Sequence, residues 1–156
     1  MTDFNLSEHF MFSELTTTEH TEFLEQNQRE GMQFVASLTK VCTDLLEPIR
    51  VQWGPIHINS GFRCAVLNAA VGSHPTSQHL LGQAVDFIIK DLPAGRTLID
   101  VFDWIHIEYT IDFHQLINEG HGEWIHVSLP LGVNDKQVLL YDVKSEKYFR
   151  ADGSMR

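Results

Sequence analysis

The chain has 156 residues, 43% of them hydrophobic, which is enough to build one apolar core and argues against a disordered protein. Asp and Glu total 21 against 11 Lys and Arg, and the formal net charge of −10 disfavours nucleic acid and anionic membrane surfaces as partners. The two cysteines, Cys42 and Cys64, are too few for a disulfide framework, so we expect free thiols in a reducing compartment.

The first half of the chain predicts two helices on either side of a short strand. Apolar residues recur at helical spacing from Gln33 to Arg50, and Pro48 is expected to end or bend that helix. Ile56–Asn59 is typical of a short strand, and a Ser-Gly turn follows it. Arg63–Val71 predicts a second, shorter helix that Gly72 closes.

The second half predicts mainly strands. Ser73–Gly82 is polar and indicates a loop, whereas Ala84–Ile89 is apolar and β-branched enough to form a strand. Asp91 and the proline two residues later indicate the start of a helix. Three further strands are expected at Ile111–Ile117, Trp124–Leu129 and Val138–Tyr141. Because helices come first and an antiparallel meander comes last, the predicted class is α+β, a small antiparallel sheet flanked by helices.

No repeat, linker or targeting segment divides the sequence, so we expect one domain over residues 1–156. Residues 1–30 and 145–156 are polar, and we expect both segments to be peripheral. The N-terminus has no basic region, and no stretch approaches the roughly 18 apolar residues of a membrane span. We therefore expect a monomer made in the cytoplasm without a signal peptide.

Two histidines and one aspartate form the first candidate site. His79 lies in the predicted loop and Asp86 in the strand after it, and small residues between them leave room for the loop to fold back. His126 lies in a later predicted strand. Two imidazoles and a carboxylate make a three-ligand set that leaves zinc an open fourth position for water, although each pair alone is also typical of an ordinary hydrogen bond.

Charged residues near these ligands are candidates for catalysis. Glu123 stands three residues before His126, and the two side chains point to opposite faces of a strand unless the chain bends after Gly122. Glu119 is the alternative base, or a partner that orients a ligand histidine. Arg63 follows a strand and a tight turn, where a guanidinium is able to clamp a carboxylate, although a surface ion pair is the alternative.

Three further residues flank these candidates. His114 and His121 are either surface residues or additional ligands. Cys64 stands next to Arg63, and we expect it to be a packing residue rather than a metal ligand.

Taken together, these motifs resemble the zinc D-Ala-D-Ala carboxypeptidases, whose relatives include vancomycin-resistance D,D-dipeptidases and single-domain phage endolysins. The family pattern Ser-x-His-x-x-Gly-x-Ala-x-Asp is matched in full by residues 77–86. An acid followed by two residues and a histidine recurs at residues 123–126, and Ser-Gly-aromatic-Arg recurs at residues 60–63. Phage and prophage members look especially similar over residues 45–87, and the whole resemblance spans residues 6–140.

The resemblance implies a Hedgehog/DD-peptidase-like fold and a zinc peptidase. His79, Asp86 and His126 would bind one Zn²⁺ per chain. Glu123 would be the general base that takes a proton from the zinc water and delivers it to the leaving amine, with Glu119 as its rival.

The resemblance also implies the substrate, a peptide bond in bacterial peptidoglycan stem peptides. Arg63 would neutralise a substrate carboxylate or polarise the scissile carbonyl, and Ser77 would hydrogen-bond the substrate. Fold alone does not separate a terminal D-Ala carboxypeptidase from an internal endopeptidase. Without an export signal, access to the cell wall would need a partner, as in phage lysis, which fits a phage-encoded, endolysin-like protein.

Two other functions remain open. The first is a zinc-binding module without catalysis, as in the Hedgehog-type relatives of this fold. The second is a structural virion protein that inherited the fold. A general base beside an open metal position favours the enzyme over the binding module, because a module that only binds zinc does not need a general base.

Overall fold

Six strands form one sheet in the computed structural model, which describes residues 3–108, 111–120, 122–132, 136–142 and 147–150. The strands are Ile56–Ser60 (β1), Ala84–Ile89 (β2), Gln115–Glu119 (β3), Trp124–Ser128 (β4), Gln137–Asp142 (β5) and Lys147–Arg150 (β6). Their order across the sheet is β1-β2-β4-β3-β5-β6. Helices accompany this mostly antiparallel sheet, so the predicted α+β class is confirmed.

The last third of the chain is not the simple antiparallel meander that the sequence suggested. β5 runs parallel to β3, whereas every other neighbouring pair is antiparallel. β4 lies between β2 and β3, so β5 pairs with the other side of β3. It begins at the end of the sheet where β4 finishes and β3 starts, and therefore runs in the direction of β3. β6 then extends the sheet from the segment expected to be a peripheral tail.

The helices are Leu24–Gly31 (α1), Val35–Lys40 (α2), Glu47–Trp53 (α3), Ala65–Ala70 (α4) and Leu98–Asp103 (α5). A 3₁₀ turn at Met32–Phe34 and a π-helical segment at Val41–Leu46 join the first three into one helical run. The helix expected over residues 33–50 is therefore confirmed, and it extends further at both ends. Among the described residues, no helix has the length and apolar character needed to cross a membrane.

Two helix boundaries differ from the sequence-based expectation. Pro48 does not end its helix, because it lies in the first turn of α3, directly after the π-helical segment, where a missing N–H costs little. The helix expected at Asp91 begins only at α5. There Thr97 and Asp100 form a capping box that satisfies backbone N–H groups at the helix start.

Alternation along the central strands separates an apolar face of the sheet from a polar one. Val85 and Phe87 of β2, like Ile125 and Val127 of β4, have no exposed surface and lie in the core. Asp86 stands between two of these residues and therefore points to the opposite face. The packing of the core thus decides which side chains of β2 and β4 reach the polar face.

The first thirty residues are not peripheral in the described structure, contrary to the expectation from their polarity. Phe10, Phe12 and Leu15 are at most 2% exposed and belong to the core. Phe12 also stacks on Phe4 with ring centroids 5.0 Å apart. These apolar residues lack a regular period, so the local pattern did not reveal the large area that they bury.

Gly61 lies directly against the backbone of Leu15. A Cβ at position 61 would overlap the Leu15 carbonyl oxygen, which also accepts a 2.7 Å hydrogen bond from the N–H of Phe62. We expect Gly61→Ala to lower the free energy of unfolding by about 3 kcal/mol, because two backbone segments would have to separate.

Gly95→Ala is the matched control for urea denaturation. Its φ is +80° and a Cβ there meets nothing within 4 Å, so only the left-handed backbone conformation is penalised, by about 1 kcal/mol. Equal losses of stability in the two variants would contradict the packing argument.

Candidate active site

His79, Asp86 and His126 meet on the polar face of the sheet. Asp86 of β2 and His126 of β4 are paired in register, and His79 enters from a 3₁₀ segment, Gln78–Leu81. His126 Nδ1 is 2.7 Å from one Asp86 carboxylate oxygen, and His79 Nε2 is 3.3 Å from the other. The two imidazole nitrogens are 3.3 Å apart.

This arrangement fits a tetrahedral metal ion. Nitrogens bound tetrahedrally at zinc distances of 2.0–2.1 Å lie about 3.3 Å apart, which is the separation of the two imidazole nitrogens. One potential ligand atom from each of the three residues lies within 4.8 Å of the others. Two histidines and one carboxylate also match the donor types that zinc prefers.

The protonation states of His79 and Asp86 suit metal binding. His79 Nδ1 lies 2.6 Å from the carbonyl oxygen of Gly61, so it donates its proton there and leaves the Nε2 lone pair facing the other two groups. Burial lowers the pKa of His79 and keeps the ring neutral. Burial raises the pKa of Asp86, but its contacts with His79 and His126 outweigh that effect and hold the pKa well below its usual range.

Comparison with known families agrees with this site. The model of the Peptidase M15 family matches residues 8–128, which is most of the chain and includes all three ligand candidates. The chain belongs to the peptidase M15 family. A search of the curated proteins finds no match to this chain. Members of the M15 family are zinc metallopeptidases, and the His-Asp-His group is able to hold the metal that they require.

A cleft of about 510 Å³ opens beside the candidate metal ligands of this M15 peptidase. Residues 17–20 and 57–60 line it together with Arg63, Leu67, Val71, Trp124 and the ligand candidate Asp86. Arg63 Nε is buried and has no hydrogen-bond partner among the described residues. Burial lowers the pKa of Arg63 and Asp86 opposes that shift, yet a guanidinium stays charged in proteins. The cleft therefore contains a cation that a substrate carboxylate or carbonyl would satisfy.

The two candidate bases occupy different environments. Glu119 of β3 pairs with Trp124, two residues from His126 on β4, so its side chain shares the polar face with the metal ligands. It is 8% exposed, and burial, with a smaller contribution from Asp86, raises its pKa to about 7. Glu123 lies in the turn before β4 and is exposed, with its carboxylate folded over Gly120. Because Glu123 stands in the turn at residues 122–123, before β4 begins, strand alternation does not fix its side chain, and its role as the base stays a prediction.

Ser77 supports a ligand rather than lining the cleft. Its hydroxyl oxygen accepts a 3.4 Å hydrogen bond from the backbone N–H of His79 and caps the 3₁₀ segment. The contact with substrate that the resemblance implied for Ser77 stays a prediction. His114 is half-buried in the strand region but is not one of the three metal ligands, and His121 lies outside the described residues. Cys64, like Cys42, is a buried free thiol, as expected.

The sequence analysis missed Asn27, a fully buried residue of α1 that organises the site from behind. Its Nδ2 donates to the carbonyl oxygens of Thr16 and Phe62, each at 2.9 Å, and its Oδ1 accepts from Cys64 N at 2.7 Å. Asn27 thus bonds the residues immediately before and after Arg63 and connects their loop to Thr16, next to the cleft residues 17–20. A lone asparagine in a polar helix carries no local signal of this role.

Burial of Glu119 predicts a pH-dependent effect on the metal-free protein. A pKa raised from 4.5 to about 7 in the folded state means that the fold favours the neutral carboxyl of Glu119. The stabilisation of the fold by this neutral carboxyl is complete below pH 4.5 and is lost as the pH rises through 7. We expect Glu119→Gln to match the parent at pH 4 and to exceed its unfolding free energy at pH 8 by up to about 3 kcal/mol.

Chemical denaturation with a chelator present, at several pH values, measures this effect. Glu123→Gln is the matched control and should show no such trend, because Glu123 is exposed. If the two variants behave alike, Glu119 does not occupy the buried position described above.

Removing the Asn27 amide should loosen the loop that carries Arg63. Asn27→Leu leaves three buried backbone groups without partners, and we expect it to lower the unfolding free energy by about 3 kcal/mol. The same loop holds His79 through Gly61, so the zinc dissociation constant should rise about tenfold.

The control is Asn68→Leu, at another buried asparagine, whose Nδ2 donates to Ser73 and His74 instead. It should destabilise the fold without weakening zinc binding, as measured by competition with a chromophoric chelator. Equal zinc affinity in the two variants would rule out the link between Asn27 and the metal site.

Proposed function

We propose that this M15 metallopeptidase hydrolyses peptide bonds in the stem peptides of bacterial peptidoglycan. The observation that carries the proposal is the placement of a buried His-Asp-His ligand set beside an open cleft that also contains Arg63. Three ligands from the chain leave a position for water, which is the arrangement of catalytic rather than structural zinc sites.

The chain's own residues supply the remaining functions of a hydrolytic site. Bound zinc lowers the pKa of water to about 7 and polarises a carbonyl group. Glu119, on the same face as the ligands, would accept the proton of the attacking water and pass it to the leaving amine. Arg63 would hold a substrate carboxylate or share the negative charge that develops on the carbonyl oxygen.

We propose Glu119 rather than Glu123 as the general base. A base must reach the attacking water, and Glu119 is buried on the face of β3 and β4 that carries the ligands. A pKa raised towards 7 by burial also suits proton transfer at neutral pH. Glu123 instead lies in the turn between β3 and β4, where it is exposed and its carboxylate lies against Gly120.

One cation in the cleft supports the proposed substrate class. Arg63 is the one Lys or Arg among the described residues that line it, in a chain of net charge −10. Stem peptides carry free carboxylates that this cation would bind. Both a terminal D-Ala carboxypeptidase and an endopeptidase of the endolysin type fit this arrangement, so the products of digestion have to decide between them.

The deciding experiment is digestion of purified peptidoglycan by the zinc-loaded chain with and without chelator, followed by mass spectrometry. We expect one zinc per chain and chelator-sensitive cleavage. Loss of about 71 mass units per stem, one Ala residue, indicates a carboxypeptidase, whereas separated crosslinks or freed peptides indicate an endopeptidase. Zinc-loaded protein without turnover would instead favour a zinc-binding module.

The base is assigned by a pair of isosteric variants. Glu119→Gln should reduce kcat by about 10²–10⁴-fold while the protein still holds zinc. Glu123→Gln should stay within about threefold of the parent, because in this proposal the exposed Glu123 does not carry the proton. The reverse pattern would assign the base to Glu123.

A further inference from the structure

Two opposite charges that line the same cleft are not paired with each other. Glu19 and Arg63 are both part of its lining. Among the residues that the structure describes, neither the Glu19 carboxylate nor the Arg63 guanidinium forms an ion pair or a hydrogen bond. The other carboxylate of the lining, Asp86, has its two oxygens 2.7 Å from His126 and 3.3 Å from His79. Glu19 is therefore the carboxylate of this lining that remains available to a ligand.

The segment that carries Glu19 is anchored next to Arg63. The carbonyl oxygen of Leu15 accepts a 2.7 Å hydrogen bond from the N–H of Phe62, the residue before Arg63. Four residues of chain span at most about 14 Å, which limits the distance between the backbones of Glu19 and Leu15. A peptide of a few residues is therefore long enough to reach both charges.

The backbone around Glu19 is held in a turn. The N–H of His20 donates to Thr18 Oγ1 at 3.1 Å, and the N–H of Thr21 donates to the carbonyl oxygen of Glu19 at 3.0 Å. The Glu19 side chain itself is exposed. Backbone bonds rather than an ionic partner thus fix the position of this residue, so a cation that binds its carboxylate breaks no existing contact among the described residues.

Most of the remaining lining is uncharged. Leu67, Val71 and Trp124 contribute apolar groups, and β1 contributes the polar side chains of Asn59 and Ser60. Ligand sites typically combine apolar walls with a few polar or charged groups that fix the orientation of the ligand. Two unpaired charges of opposite sign in such a lining favour a ligand that carries both charges.

We propose that Glu19 determines specificity by binding an ammonium group of the substrate while Arg63 binds a substrate carboxylate. This inference rests on the proposed function and names the class of stem peptide that is recognised. A stem peptide that contains a diamino acid carries a side-chain amine, which is positively charged at neutral pH. Crosslinking through that amine converts it to an uncharged amide, so Glu19 would favour stems that are not crosslinked through it. The free N-terminus of a released peptide offers the same ammonium chemistry.

The test measures the binding of a stem pentapeptide with lysine at its third position, by calorimetry at about 0.15 M salt, which screens distant charges. Every sample is zinc-loaded protein in which both candidate bases, Glu119 and Glu123, are replaced by Gln to suppress turnover. The peptide is used unmodified, acetylated on the lysine side chain, or acetylated on the N-terminus. Ion pairs between exposed groups change an equilibrium constant by about two- to fivefold. We therefore expect acetylation of one of the two amines to weaken binding by up to about fivefold, and the sensitive amine identifies the group that Glu19 binds.

Variants of Glu19 assign this sensitivity to its carboxylate. In Glu19→Gln the peptides should bind equally, and in Glu19→Lys the acetylated peptide should bind better than the unmodified one, because like charges repel. Two results would overturn the inference. One is equal binding of all three peptides when Glu19 is present, and the other is sensitivity to acetylation that persists in Glu19→Gln.

Glu22→Gln is the matched control. Glu22 is exposed on the same segment but does not line the cleft, so its replacement changes the net charge equally and should leave the sensitivity to acetylation intact. If Glu22→Gln and Glu19→Gln lose that sensitivity to the same extent, the overall negative charge attracts the amine and the ammonium site at Glu19 is ruled out.

The proposed function and the ammonium site fail in different ways when cleavage of the same peptides by the zinc-loaded parent is measured as well. Peptide that binds with a preference dependent on Glu19 but is not cleaved contradicts the peptidase activity alone. Peptide that is cleaved without such a preference contradicts the ammonium site alone. Absence of both binding and cleavage contradicts both.

Discussion

The antiparallel register of β2 and β4 is the constraint on which the candidate active site depends. It places Asp86 opposite His126, so that a carboxylate and an imidazole meet without any help from flexible loops. A slip of one residue would turn either side chain into the core and an apolar neighbour out of it. Val85 and Val127, which are fully buried on the other face, resist that slip. The apolar core therefore supplies the precision of the polar site, and damage to the core should appear as weaker metal binding before the fold is lost.

The loop after β1 is the second element that joins the fold to the chemistry. The carbonyl oxygen of Gly61 accepts a hydrogen bond from His79 Nδ1, and the N–H of Arg63 donates to the carbonyl of His79 at 3.1 Å, so the loop and this candidate ligand hold each other. From behind, Asn27 satisfies the groups on either side of Arg63. The N-terminal segment packs under the same loop through Leu15. This loop thus sets the tautomer of His79 and the position of Arg63 in the cleft. Because the N-terminal segment supports the loop, its apolar residues are part of the core.

The candidate ligand cluster was predictable from sequence because each of its residues lies on an element with a clear local pattern. Asp86 and His126 occupy the polar positions of alternating strands, and the motif around His79 fixes its loop. The proposed base, Glu119, was not predictable in the same way. The short spacing between Glu123 and His126 in the sequence favoured Glu123. The case for Glu119 depends on the pairing of β3 with β4, a long-range contact that no short stretch of sequence contains. The parallel β5, the buried aromatic residues of the N-terminal segment and the bonds of Asn27 were missed for the same reason. Each is decided by tertiary contacts that override local propensity.

The charges of the polar face favour a bound cation. Asp86 is ionised, Glu119 lies on the same face of the sheet, and the charge of Asp86 contributes to the raised pKa of Glu119. Two carboxyl groups on one face of the sheet repel each other once both are ionised, and His126 offsets only part of the rise in the pKa of Glu119. Arg63 offsets part of the negative charge but also borders the cleft, where a substrate carboxylate would compete for it. A divalent cation between the imidazoles and Asp86 would relieve the repulsion and stabilise the ionised form of Glu119, which is the form that a general base needs. The same burial that destabilises the metal-free protein at high pH thus prepares the site for metal and for proton transfer.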